Sequence, residues 1–162
     1  MAQTDAAAPV PKPLILRDDD RTESGIEPGC FLSDWLNDPA DNDLSITRIR
    51  VQPGAETRLR RLENICERYV VLEGQGRIEL VGPTRAFTEG DHTISALEEG
   101  DVVVIPPAFS RRITNIGETD LVFLAICTPR FRPAAQPDMP ARPASAPAAS
   151  WASPDRTDDL SS

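Results

Sequence analysis

Between residues 46 and 128 the chain is cut into apolar segments of four to eight residues, each halted by Gly, Pro or Asn. Segments so short and so rich in Val, Ile and Leu suit strands rather than amphipathic helices, which need ten or more periodic residues. Ile46 to Val51 runs into Gln52-Pro53-Gly54, and Arg68 to Glu73 turns at Gly74-Gln75-Gly76 into Arg77 to Val81. Val102 to Ile105 stops at Pro106-Pro107, and Arg111 to Thr114 turns at Asn115-Ile116-Gly117 into Leu121 to Thr128. Proline removes a ladder donor and Gly or Asn accepts positive φ, so each stop has a mechanism. The stretch Cys30 to Leu36 reads equally as an edge strand or one helical turn, ended by Pro39 and the Asp-Asn-Asp run. The expected fold class is all-β.

The ends differ in kind. From Pro133 onward the chain is Pro, Ala, Ser and Asp with Trp151 as the lone aromatic, a composition that buries too little apolar surface to offset the entropy of ordering. Residues 1–21 are expected to be a flexible segment, 22–132 one folded domain, and 133–162 a disordered tail, either a tolerated extension or the carrier of a partner motif around Trp151. With 17 Lys+Arg against 26 Asp+Glu the net charge is −9, which argues against a nucleic-acid binder that lives on phosphate contacts. The longest apolar run, Leu121 to Cys127, falls far short of the ~20 residues of a membrane span. Met1 to Lys12 lacks a basic start and is broken by Pro9 and Pro11, so it does not read as a secretory signal. Cys30, Cys66 and Cys127, odd in number and without C-x-x-C spacing, suit free thiols. A cytoplasmic location is therefore expected.

Two spaced segments resemble the paired motifs of the cupin superfamily. The first motif is a glycine, five residues, His-x-His, three or four residues, a glutamate, six residues and a glycine. Here Gly54 opens it, Glu67 stands at the glutamate and Gly74 closes it. The second is a glycine, five residues, Pro-x-Gly, two residues, a histidine, three residues and an asparagine. Gly100 opens it, Pro106 follows after five residues and Asn115 closes it. Over about residues 28–132 the chain resembles small single-domain bacterial cupins, a group described by fold more than by reaction. The resemblance implies a double-stranded β-helix, or jelly-roll, barrel with an inner pocket, and by analogy a homodimer.

It also implies a departure. In the family the three histidines and the glutamate hold a divalent ion, but here Arg60, Leu62 and Arg111 occupy the histidine positions and only Glu67 remains. Arginine stays protonated and offers no lone pair to a cation. No metal and no cofactor is expected; the remaining route to a metal is an atypical set of Glu67, Cys127 or His92.

Strand alternation places Glu67, Tyr69 and Val71 on one face, inward by the resemblance, and Arg111, Ile113 and Asn115 on another shared face. Arg60 and Arg111 are then expected to converge on Glu67. One consequence is a metal-free site that grips an anionic or oxygen-rich small molecule with Arg60, Arg111, Tyr69 and Asn115, Glu67 serving as proton acceptor in an isomerase, epimerase, cyclase or lyase step. The other is an internal ion pair that plugs the pocket of a structural or regulatory dimer. Cys127 reads as a packed small residue, His92 as a surface residue, Trp35 as core or interface. Arg48, Arg50, Arg58, Arg60 and Arg61, interleaved with Glu56 and Glu63, read as a mixed, solvated face.

Overall fold

The computed structural model describes residues 12–83 and 92–136, so the expected disorder of the tails and any role of Trp151 lie largely outside the described residues. Among the described residues ten strands form: β1 (Ser24–Glu27), β2 (Cys30–Leu36), β3 (Ser45–Val51), β4 (Arg60–Arg61), β5 (Cys66–Glu73), β6 (Gly76–Val81), β7 (His92–Leu97), β8 (Val102–Ile105), β9 (Ser110–Asn115) and β10 (Leu121–Thr128). Among the described residues there is no α-helix, only 3₁₀ turns at Asp18–Asp20 and Pro133–Ala135. The strands make two antiparallel sheets, one in the order β1-β2-β3-β10-β5-β8 and one in the order β4-β9-β6-β7.

The sheets face each other and share one core. Tyr69, Val71, Leu121 and Phe123 from the larger sheet pack with Ile78, Leu97 and Ile113 from the smaller. Along β5 burial alternates strictly, with Glu67, Tyr69 and Val71 inside and Arg68, Val70 and Leu72 half-buried outside, as the alternation requires. The turn that carries the chain from β5 in the larger sheet to β6 in the smaller depends on Gly74, whose φ is +82° and where a Cβ would stand 2.5 Å from the Asp120 carbonyl oxygen. A second cluster of Leu62, Ile65 and Cys127 is covered by Phe131 and Ala135, and the Glu63 N–H donates to the Ala135 carbonyl at 2.7 Å, so packing continues past Arg132.

Cys30–Leu36 is a strand, paired with β3 through most of its length. The strands β1, β4 and β7 carry no apolar alternation that a sequence reading could seize. The first is Ser-Gly-Ile-Glu, the second is two arginines, and five of the six β7 residues are exposed on a sheet edge. Edge positions need only hydrogen-bond partners, not a buried side-chain set.

Candidate functional site

The interior of the barrel holds a hydrogen-bonded triad of an ion pair and a phenol. Glu67 and Tyr69 project inward from β5, and Arg111 from β9 of the opposing sheet. Glu67 is 4% exposed and the Arg111 side chain 10%. The guanidinium grips the carboxylate side-on, with Nε 2.6 Å from Oε2 and Nη2 donating to Oε1 at 2.9 Å, while Nε also donates to the Tyr69 hydroxyl at 3.2 Å. That leaves Nη1, which is buried and has no hydrogen-bond partner among the described residues. The walls around the triad are apolar: Ile105 lies opposite Glu67 in the sheet register on one side and Cys127 on the other, and the Tyr69 ring stacks at a tilt on Phe123 with centroids 4.7 Å apart.

Burial raises the Glu67 carboxyl above its ordinary range, and the adjacent Arg111 opposes that rise. Burial likewise pushes Tyr69 far up, so it stays a phenol. Arg111 is disfavoured by burial but held firmly charged by Tyr69 and Glu67. The Cys127 thiol rises to about 11, through burial first and the Glu67 charge second, which makes it a packing residue and not a nucleophile at neutral pH.

Arg60 and Asn115 do not join this group. Arg60 pairs directly with Arg111 in the β4–β9 register, but its guanidinium turns to Glu27, with Nη2 2.5 Å from Oε1. The convergence of two arginines on Glu67 is thereby corrected: the hairpin of β1 and β2 brings a second carboxylate, and each arginine takes one. Asn115 is fully buried, but its amide is spent on the backbone. Its Nδ2 donates to the carbonyls of Val51 and Thr119, each at 2.8 Å, and its Oδ1 accepts from the Gly117 N–H at 2.9 Å. Four residues along a strand from Arg111, it stands ~13 Å away and closes the β9–β10 turn instead of lining a site.

The donor set does not fit a metal ion. Leu62 is part of an apolar cluster, two motif positions carry guanidinium groups, and among the described residues no three His, Cys, Asp or Glu side chains are placed to hold a cation. Glu67 and Cys127 do stand side by side, but His92 is exposed on β7, where its Nε2 lies 3.0 Å from Glu79 Oε1, so the atypical trio does not assemble.

Several other arginines are paired with carboxylates, on strands of both sheets rather than on one face. Arg48 and Arg50 meet Glu23, Arg50 also meets Asp120, Arg61 meets Glu63, and Arg112 meets both Glu79 and Glu56. Trp35 lies outside the core, half-buried beneath the Arg21 guanidinium at 4.6 Å, where it lines a cleft of about 350 Å³ with Ile15 and Leu16. A second cleft of about 330 Å³ lies between Ile65 and Arg132. Neither is lined by Glu67, Tyr69 or Arg111. Sequence reasoning misses Glu27, because nothing in Ser-Gly-Ile-Glu marks a strand that would carry its carboxylate inward.

The cupin family model matches residues 36–137, well over half of the chain. The chain belongs to the cupin family. This cupin is 42% identical to a glucose-6-phosphate isomerase of Pyrococcus furiosus over 61 residues, which is 38% of this chain and 30% of that protein. A glucose-6-phosphate isomerase of Pyrococcus abyssi matches over the same length at 38% identity. The match thus spans less than a third of either relative. Among solved structures the cupin is similar to KdgF from Halomonas sp., with a TM-score of 0.59 and 21% identity over 73% of this chain and 96% of that one. It is similar also to a predicted oxalate decarboxylase of Thermotoga maritima, with a TM-score of 0.59 and 24% identity over 71% of this chain and 98% of that one. Drosophila melanogaster CENP-C bound to CAL1 has a TM-score of 0.59 at 16% identity, over 70% of this chain and 85% of that one. Likeness at these identities establishes the fold.

Proposed function

We propose that this cupin is a metal-independent binding protein for a small anionic or oxygen-rich molecule, with Arg111 as the anchor inside the barrel and Glu67 and Tyr69 beside it. The observation that carries the reading is the unpartnered Nη1 of Arg111. A buried donor without an acceptor costs about 1–3 kcal/mol, which a ligand oxygen would recover. The pair with Glu67 fixes the guanidinium plane and leaves that edge free, so the cation is oriented before a ligand arrives. Where chemistry follows binding, Glu67 is the proton carrier, since its raised carboxyl sits closer to neutral pH than an exposed glutamate, and Arg111 stabilises a developing oxyanion. The names of the similar proteins support a small anion: one is an isomerase of a sugar phosphate, another a predicted decarboxylase of oxalate. The free thiols among the described residues favour the cytoplasm as the place of work.

The test is a thermal-shift series with glucose 6-phosphate, oxalate and small keto acids. A ligand present at 100 times its Kd adds about 2.7 kcal/mol to the stability of the native state. The midpoint is expected to rise with at least one of these anions in the wild type and not in Arg111→Lys, whose single ammonium cannot keep Glu67 and still present a free donor edge. Absence of any rise overturns the reading.

A second reading, a non-catalytic homodimer in which the Glu67–Arg111 pair only plugs the barrel, is favoured by one observation. Val102 and Val104, on the edge strand β8, are 60% and 59% exposed. Sedimentation of the wild type and of Val104→Lys separates the two: a dimer that Val104→Lys dissolves, together with no ligand shift, would favour this alternative.

A further inference from the structure

We infer that Glu27 is a built-in stand-in for the ligand's acidic group, holding Arg60 until an anion in the barrel takes the arginine from it. This inference rests on the ligand-binding reading above and concerns how the same site is regulated.

Three features meet here. Arg60 lies directly across from Arg111 in the antiparallel register of β4 and β9, so the two side chains leave the same face of the sheet from Cα positions about 5 Å apart. The Glu27 carboxylate is buried, with a side chain 4% exposed, although it ends a strand that is otherwise exposed. It is held as a bound anion would be held. The Arg58 N–H donates to Oε2 at 2.7 Å, the Arg60 guanidinium lies 2.5 Å from Oε1, and the charge of Arg58 stands 3.9 Å away. The molecule therefore contains a formed anion site next to Arg111, and the anion in it belongs to the chain. Beside it, Nη1 of Arg111 has no acceptor.

An external anion bound at Arg111 places negative charge within reach of Arg60, whose side chain is 32% exposed and free to change rotamer. Two guanidiniums on one ligand bind it better than one, but only the fraction of molecules in which Arg60 has left Glu27 can offer both. The apparent affinity is lowered by that fraction. Release of Glu27 also frees β1, which meets the rest of the sheet through β2 alone and with a register irregularity between Gly25 and Glu27.

Calorimetric titration of the full chain with inorganic phosphate tests this. Glu27→Gln, which keeps the shape and removes the charge, is expected to bind phosphate about ten-fold more tightly than wild type, and adding Arg60→Gln is expected to cancel the gain. If Glu27→Gln binds as wild type does while Arg111→Lys loses binding, the stand-in role is overturned and the Arg111 site stands. If neither the wild type nor any variant binds phosphate, glucose 6-phosphate or oxalate, both fall together. Should Glu27→Gln not fold, hydrogen exchange on the wild type decides: phosphate is expected to speed exchange of the β1 and β2 amides as Glu27 is released, and unchanged or slower exchange there overturns the inference. A purely structural Glu27 would lower the melting midpoint of its variants without moving the phosphate Kd.

Discussion

Arg60 and Arg111 face each other across two strands, and both pair with glutamates. Yet they stand in different surroundings. Arg111 is one-tenth exposed and tied to Glu67 and Tyr69, whereas Arg60 is about a third exposed and tied to a residue of the amino-terminal hairpin. The difference shows that register brings charges near one another but burial decides how much each depends on its partner. A buried ion whose counter-ion is removed has no water to turn to, and an exposed one does.

The largest effect should come from breaking the inner pair. Arg111→Met leaves Glu67 buried without a cation and is expected to cost about 3–5 kcal/mol in urea unfolding, while the double variant Arg111→Met with Glu67→Leu regains most of that loss. Arg60→Met is expected to cost less, because Glu27, although its side chain is only 4% exposed, keeps the Arg58 N–H at 2.7 Å and the Arg58 guanidinium at 3.9 Å. Equal losses for the two arginines would show that the comparison is wrong and that the Glu27 pair matters to stability no less than the Glu67 pair.

The inner arginine was legible in the sequence and the partner of the outer one was not, for reasons that lie in the strands. β5 and β9 are long, half-buried strands in which Val71 and Ile113 declare the inward face, so Glu67, Tyr69 and Arg111 follow by counting in twos. β4 is two residues long, and β1 has no apolar alternation, so neither the direction of Arg60 nor the arrival of Glu27 can be counted. Asn115 shows the opposite failure. Its inward face was legible, but a face says nothing of what an amide will bond, and three backbone groups claim it, two in the adjoining turn and one at the end of β3. Periodicity reports the side of a sheet, and function needs the atom at the end of the side chain.

A smaller effect, visible only as pH changes, sharpens the contrast between buried and exposed carboxylates. Burial raises the Glu67 carboxyl in the folded state, so its contribution to stability is complete below the unfolded value near 4.5 and is lost as pH rises through the higher folded value. Glu23, half-exposed and hydrogen-bonded to Arg50, is lowered, so its contribution is present above 4.5 and lost as pH falls through the folded value. Urea midpoints measured from pH 3 to 7 should therefore show wild type losing ground to Glu67→Gln as pH rises and losing ground to Glu23→Gln as pH falls. The same sign in both would mean that Arg111 outweighs burial at Glu67.

The smallest expected effect concerns what aligns the two arginines. Ala108 stands where the second cupin motif has its glycine, and its φ is +66°, the left-handed region in which a Cβ costs roughly 1–2 kcal/mol. Its N–H donates to the Leu62 carbonyl at 2.8 Å, which ties the stretch after β8 to the residue following β4 and so sets Arg60 opposite Arg111. Ala108→Gly relieves the strain but adds roughly 0.4–1 kcal/mol of unfolded-state entropy, leaving a net gain of about 0.5 kcal/mol. In calorimetry that is a rise of about 2 °C for a domain of this size. A fall instead would mean that the alanine methyl contributes packing at the junction of β4 and β9, and that the alignment of the arginines depends on it as well as on the hydrogen bond.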